Sequence, residues 1–399
     1  MAVAVGIDVA KRIHWVEIKV AEDGAVLVTR SVDNSPGEIA ELIDQIRGFE
    51  VQHGPARVGI DLLGGIATLL EVMLLDAGLE TVHVPGLAVN RARQGTVGGE
   101  HKSDPKDAKV IADQVRMRND LRVLTLPSAD DVELRLLTSR RSELVTDQTR
   151  RASRIRDLLS SIHPGLERVV DVTTKTGLWL LTRFVTPAEI RAAGRRRLLT
   201  HLRRLDHVKD DRLTAVAEAA IAAAQAQQLA VPGEATAADI VRSLAHEMLA
   251  ARDQIAEVDA RIGAALKRHP DTALIRSLPG MGATLTAEFI AITGGIGRFA
   301  TGDHLAAAAG LAPVLKQSGK IRYLRRATSG DKTLKRVFYQ SAFVAIACDH
   351  TSKTYYRRKR SEGKSHHQAV LALARRRVNV LHAILRNREP YYTPGATAA

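Results

Sequence analysis

This 399-residue chain is short of cysteine, of long apolar runs and, in one region, of acids. Its one cysteine, Cys348, excludes a disulfide within the chain and suits a reducing compartment such as the cytoplasm. No stretch approaches the roughly 20 apolar residues of a membrane helix, so a membrane partner is not expected. A secretory leader is not expected either, since Met1 to Asp8 has no basic segment and reaches an aspartate early. Acids are scarce from Lys316 to Arg388, where 19 Lys and Arg face only Asp331, Asp349 and Glu362. That stretch carries +16 of a total of +14, which leaves −2 for the rest. Solubility charge alone would be dispersed; a concentrated basic field attracts a polyanion, most often nucleic acid.

The remaining composition, 45% hydrophobic and 26% charged, is that of a globular protein long enough for two or three domains. Val3, Val5, Ile7 and Val9 alternate with Ala4, Gly6, Asp8 and Ala10, which predicts a strand with Asp8 opposite the valines. Further strands are expected over 14–21, 25–33, 57–63 and 80–85. Ser35-Pro36-Gly37-Glu38 opens a helix with a capping box, and Gly64-Gly65 leads into another. The loop 95–102 precedes Lys102-Ser103-Asp104-Pro105-Lys106-Asp107-Ala108-Lys109, where Asp104 reads as an N-cap with proline at the first helical position.

Three meandering strands followed by helix–strand alternation predict a mixed sheet with helices on its faces. By analogy of pattern this is the order of the ribonuclease-H-like fold, in which the first and fourth strands are neighbours. Asp8 and Asp61 would then lie together, and the helix start would bring Asp104 and Asp107 to the same end. Carboxylates so gathered repel unless cations neutralise them, so one or two Mg²⁺ ions are the expected ligand. Acids in a first helical turn also complement the helix dipole with no catalytic role.

Residues 132–162 predict one long helix, with Leu137, Leu144, Leu158 and Ile162 on a seam broken by Arg141, Gln148 and Arg151. Six of its arginines, Arg140, Arg141, Arg150, Arg151, Arg154 and Arg156, give it a basic face that reads equally as solvated surface or a nucleic-acid contact. The stretch 169–233 looks helical and carries no chemical motif. Val241, Met248, Ile255 and Ile262 recur every seven residues, which predicts a coiled coil with 132–162 or across a dimer, or simple packing within one domain. Leu278-Pro279-Gly280-Met281-Gly282 resembles the turn of a helix-hairpin-helix, whose glycine amides approach a phosphate, and equally an ordinary interhelical turn.

Gly310 to Lys320 places Ser318 in a glycine-flanked loop between Lys316 and Lys320. A serine attacks phosphorus only when neighbours lower its pKa and stabilise the developing charge. No histidine or carboxylate is near in sequence, so by itself Ser318 reads as a turn residue. Lys102, Lys316, Lys320, Arg322, Arg325, Arg326, Lys332, Lys335 and Arg336 are the candidate nucleic-acid contacts, and Ser329 reads as an N-cap for the basic helix that follows.

Gly6-Ile7-Asp8-Val9-Ala10-Lys11, the acid before Gly64-Gly65, Lys102 to Ala108, Leu278 to Gly282, Gly310 to Pro313 and Gln317 to Lys320 occur in the order that resembles the DEDD transposases of the IS one-ten family. The resemblance spans about residues 1–160 and 240–350. It implies a RuvC-like domain over 1–125, a helical coiled-coil linker over 126–270 and a mainly helical transposase domain over 271–390. It implies that Asp8, Asp61, Asp104 and Asp107 bind Mg²⁺ and that Ser318 becomes covalently linked to DNA. The second acid of the tetrad is usually glutamate in the family; here it is Asp61. The resemblance further implies donor and target DNA, a structured guide RNA and a dimer or tetramer in a prokaryotic cytoplasm, associated with the nucleoid when active. A resolvase-type nuclease using water would need the acids alone. An actin-like phosphotransferase would need a glycine- and hydroxyl-rich loop where Ala10-Lys11 stands, and an architectural nucleic-acid-binding protein would leave the acids unexplained.

Overall fold

The computed structural model describes residues 2–95, 103–319 and 321–392. It divides into two compact units, Met1–Pro127 and Ser128–Ala399.

The first unit begins with strands β1 (Val3–Asp8), β2 (Ile13–Val20) and β3 (Val26–Asp33), then helix α1 (Pro36–His53). Strand β4 (Ala56–Ile60), helix α2 (Thr68–Asp76), strand β5 (Glu80–His83), helices α3 (Gly86–Gln94) and α4 (Asp104–Met117) and strand β6 (Arg122–Val123) follow. The sheet order is β3-β2-β1-β4-β5-β6. β1 runs antiparallel to β2 and parallel to β4, as the ribonuclease-H-like order requires. Val5, Ile7, Val16, Ile18, Val58 and Ile60 face α1 and α2 in one core. On the other face Ala4 and Val82 pack with Val89 of α3 and with Val110, Ile111 and Val115 of α4. Three details differ from the sequence reading. α3 and the two-residue β6 were not foreseen, and Glu38 does not close a capping box. Ser35 does accept from the Glu38 amide at 3.4 Å, but the Glu38 carboxylate pairs with Arg30 at 3.1 Å.

The second unit is built on two long helices, α5 (Ala129–Ile162) and, after α6 (Pro164–Val169), α7 (Lys175–Leu181), α8 (Pro187–Leu202) and α9 (Asp210–Ala226), α10 (Glu234–Arg268). Arg268 meets Asp130, Arg141 meets Asp259 and Arg151 meets Glu247, so α5 and α10 run antiparallel within the chain. Of the heptad residues, Val241, Met248 and Ile262 are buried along this pair and Ile255 is half-buried. The polar breaks in the α5 seam are thus cross-helix ion pairs. Arg140, Arg150 and Arg154 pair with acids three residues away on α5 itself, which neutralises much of the supposed basic face.

At one end of the pair, α6 to α9 enclose a core with Ile155, Leu159, Val241 and Met248. At the other end lie α11 (Thr272–Ser277), α12 (Ala283–Thr293), α13 (Gly302–Ala308), the hairpin β7 (Val314–Ser318) and β8 (Ile321–Arg325), α14 (Lys332–Cys348), α15 (His350–Ser361) and α16 (His366–Asn387). Their core joins Leu134, Ile262, Phe289, Phe338 and Val378, with Phe289 and Phe338 meeting edge to face at 5.9 Å. No helix among the described residues is long and apolar enough to cross a membrane.

Candidate catalytic carboxylates and nucleic-acid interface

Strand alternation puts Gly6 and Asp8 on one face of β1, and the parallel register Gly6↔Gly59 and Ile7↔Ile60 carries Asp61 to the position beside Asp8. The two paired glycines explain why α4 lies so close. A Cβ on Gly6 would overlap the backbone of Ala108 and Ala112, and one on Gly59 would overlap Val115. Helix α4 therefore rests in a trough of two glycines, and its first turn reaches the carboxyl end of β1 and β4. A buried charge cluster fixes it sideways: Lys19 of β2 bonds Glu17 at 2.9 Å and Asp113 of α4 at 2.7 Å.

The four acids sit differently within this frame. Asp8, the last residue of β1, is half-buried. Asp61 is half-buried too, and its Oδ1 accepts the Val9 amide at 3.1 Å while its backbone carbonyl lies 3.3 Å from the His83 ring. Burial raises the Asp61 pKa, the Val9 bond opposes the rise, and the nearby charge of Asp107 adds to it. Asp107 is 6% exposed, and its Oδ1 lies 3.5 Å from Nη1 of Arg93 on α3, with no hydrogen-bond partner among the described residues. Asp104 is exposed. The N-cap of α4 is Ser103 rather than Asp104, because the Ser103 carbonyl accepts the first helical amides, of Lys106 and Asp107, both at 3.0 Å. Asp104 and Pro105 are then the first two helical residues.

Sequence reasoning missed Arg93, whose partner is 14 positions away and is brought to it only by the return of the chain through α4. Among the described residues no three His, Cys, Asp or Glu side chains are drawn tightly enough together to form a closed cation cage. The chemistry of the donors nevertheless fits a hard cation. All are carboxylate oxygens, one buried oxygen has no hydrogen-bond donor among the described residues, and Asp61 and Asp107 repel each other.

In the second unit, Ser318 is exposed at the end of β7, paired with Ile321 of β8. The stretch expected to be a loop is a hairpin, and Gly319 in its turn has φ +55°. Every residue of both strands is exposed, including Lys316, Arg322 and Arg325. Arg326 and Lys332 are exposed as well. Lys335 donates to the Gly310 carbonyl at 3.0 Å, and Arg336 pairs with buried Glu288 at 2.7 Å, so both already serve the fold. Lys102 and Lys320 lie outside the described residues, as does most of the loop 95–102. The cap of α14 is Asp331, which accepts the Leu334 amide at 2.7 Å, and not Ser329. In the Leu278–Gly282 turn, the close approach of Gly280 (φ +83°) is to the Ser341 carbonyl on α14.

A mixed sheet of this order, followed by a mainly helical unit, defines a ribonuclease-H-like α/β class of protein. The sequence model of the DEDD transposase domain matches residues 5–164, and that of the transposase IS116/IS110/IS902 family matches residues 272–357. The chain is 43% identical to the insertion element IS900 uncharacterized 42 kDa protein of Mycobacterium paratuberculosis, over 99% of this chain and 98% of that one. It is 41% identical to the insertion element IS116 uncharacterized 44.8 kDa protein of Streptomyces clavuligerus, over 98% and 96%. A solved structure, T. thermophilus RuvC in complex with Holliday junction substrate, aligns with 31% of this chain and all of that one at 16% identity and a TM-score of 0.24. The chain belongs to the IS110 family of transposases, whose activity is the cleavage and rejoining of DNA. The DEDD domain implies dependence on a divalent metal ion.

Proposed function

We propose that the chain cleaves donor and target DNA through a serine-linked intermediate, with Asp8, Asp61, Asp104 and Asp107 holding Mg²⁺ and Ser318 as nucleophile. The observation that supports this reading is the register that brings Asp61 beside Asp8 at the carboxyl end of the sheet, together with the charge of buried Asp107 acting on Asp61. Mg²⁺ held there would neutralise the carboxylates and polarise a phosphate oxygen. The carboxylates orient the strand, and Arg93 offsets the charge of Asp107. Ser318 Oγ forms a bond to phosphorus and gives up its proton; the bond to one ester oxygen breaks, and that oxygen leaves as a hydroxyl. One phosphoester replaces another, so the link stays available for rejoining. The exposed hairpin supports the role of Ser318, since an unburied hydroxyl on the same strand face as Lys316 is open to a strand.

The working form is a dimer or tetramer in which one protomer's acids serve another's serine, and a structured guide RNA selects the DNA; the protein acts in the cytoplasm at the nucleoid. End-labelled DNA resolved on a denaturing gel tests the chemistry. The wild type with Mg²⁺ should give a protein-linked strand, Ser318→Ala should give none, and Asp8→Asn should neither cut nor link. Efficient cutting by Ser318→Ala would instead establish hydrolysis by water.

A further inference from the structure

Part of the basic excess of the C-terminal fifth stands at a ring-lined cavity that no step above uses. From His350 to Lys364 there are six Lys and Arg and one acid, Glu362. Arg358, Lys359 and Arg376 all stand against the ring of Tyr355, at 5.1, 5.5 and 5.1 Å from its centre. Glu362 answers two of these charges, Lys359 at 2.7 Å and Arg358 at 3.7 Å. Three cations held about one ring repel one another, and a phosphate would relieve that repulsion.

Beside this cluster lies a cavity of about 130 Å³ lined by Tyr355, Arg376, Arg377, Tyr391 and Tyr392 with an apolar wall from Leu373. It is too small for a drug-sized ligand, whose sites start at roughly 300 Å³, and suits one planar ring. Arg377 is 3% exposed; its guanidinium bonds the Pro279 carbonyl and the Ser341 hydroxyl, and its Nε has no partner among the described residues. Burial lowers its pKa to about 10, so it remains a charged donor at neutral pH.

We propose that this cavity takes one unpaired base of a nucleic-acid strand against its tyrosines, while Arg358 and Arg376 hold the adjoining phosphates. Tyrosine faces accept any base, so the pocket anchors a strand without reading its sequence. The inference rests on the chain handling nucleic acid, and on neither Ser318 nor the carboxylates. The test therefore uses the full chain with Ser318→Ala and no divalent metal. The probes are short single strands of DNA and of RNA that carry a fluorescent purine analogue, and a duplex of the same sequence.

Binding should quench the analogue in single strands more than in the duplex, and the better-bound strand identifies the source of the base. Tyr355→Ala should lose quenching and about tenfold or more in affinity, with Tyr355→Phe close to wild type. Tyr392, 73% exposed, provides a second variant that spares the core: Tyr392→Ala should weaken quenching even if Tyr355→Ala fails to fold. Unchanged quenching and affinity in Tyr392→Ala and in a folded Tyr355→Ala, or equal binding of duplex without quenching, would overturn the proposal. Absent strand binding alongside intact serine–DNA linkage in the metal-loaded wild type would remove the pocket alone; loss of both would remove the recombination reading as well.

Discussion

Two glycines and one aspartate decide most of what happens at the carboxylate edge. Gly6 has to be glycine for α4 to lie on the sheet, since any Cβ there meets helix backbone, which cannot rotate away. Gly6→Ala is expected to cost about 3 kcal/mol or more, at the upper end of overpacking penalties. Gly37→Ala, with open space around it in α1, should stay within about 1 kcal/mol of wild type. Urea denaturation of both variants checks the contrast, and similar midpoints would refute the close packing.

Asp61 works against the fold. Its folded pKa is raised above the ordinary 3.8, so the folded state keeps the proton to higher pH than the unfolded one. Stability from this group is present below 3.8 and is lost as pH rises through the elevated value. Without divalent metal, Asp61→Asn should therefore melt above the wild type at pH 7 and show no advantage at pH 3. Added divalent metal should raise the wild-type midpoint and narrow the gap. Equal melting at pH 7 would mean that the carboxylate carries no such penalty.

At the scale of elements, the α5–α10 pair is held by its apolar seam more than by the ion pairs that decorate it. Ile262 is 2% exposed, whereas Arg141 and Asp259 are 26% and 42% exposed. Ile262→Ala is expected to cost about 2–5 kcal/mol. The coupling of Arg141 with Asp259, in a double-mutant cycle, should be at most about 1 kcal/mol once solvent screening is allowed for. A coupling larger than the Ile262 effect would reverse this ranking. The ion pairs still matter for register, because Arg141–Asp259 and Arg151–Glu247 fit only one antiparallel alignment of the two helices. The exposed hairpin β7–β8 is the opposite case: neither face is covered, so nothing in its sequence had to alternate.

For the whole molecule, charge is segregated: +16 on Lys316 to Arg388 against −2 on the remainder. Binding of duplex DNA is expected to weaken steeply with salt, log K falling with log salt at a slope of roughly −0.9 for each phosphate contacted. A slope near zero in a titration from low to physiological salt would mean that this segment does not meet the backbone. The sequence by itself determined β1 to β5 and, to within one residue, the start of α4, because a half-buried strand must alternate and a helix start must be capped. It also determined the heptads and the basic segment. Tertiary structure alone decided that the heptads pair with α5 inside the chain, that Arg93 meets Asp107, and that tyrosines from α15 and the C-terminal segment share a cavity with Arg377. Period and composition record which way a residue faces. The neighbour it finds there depends on elements far along the chain, whose meeting leaves no local pattern.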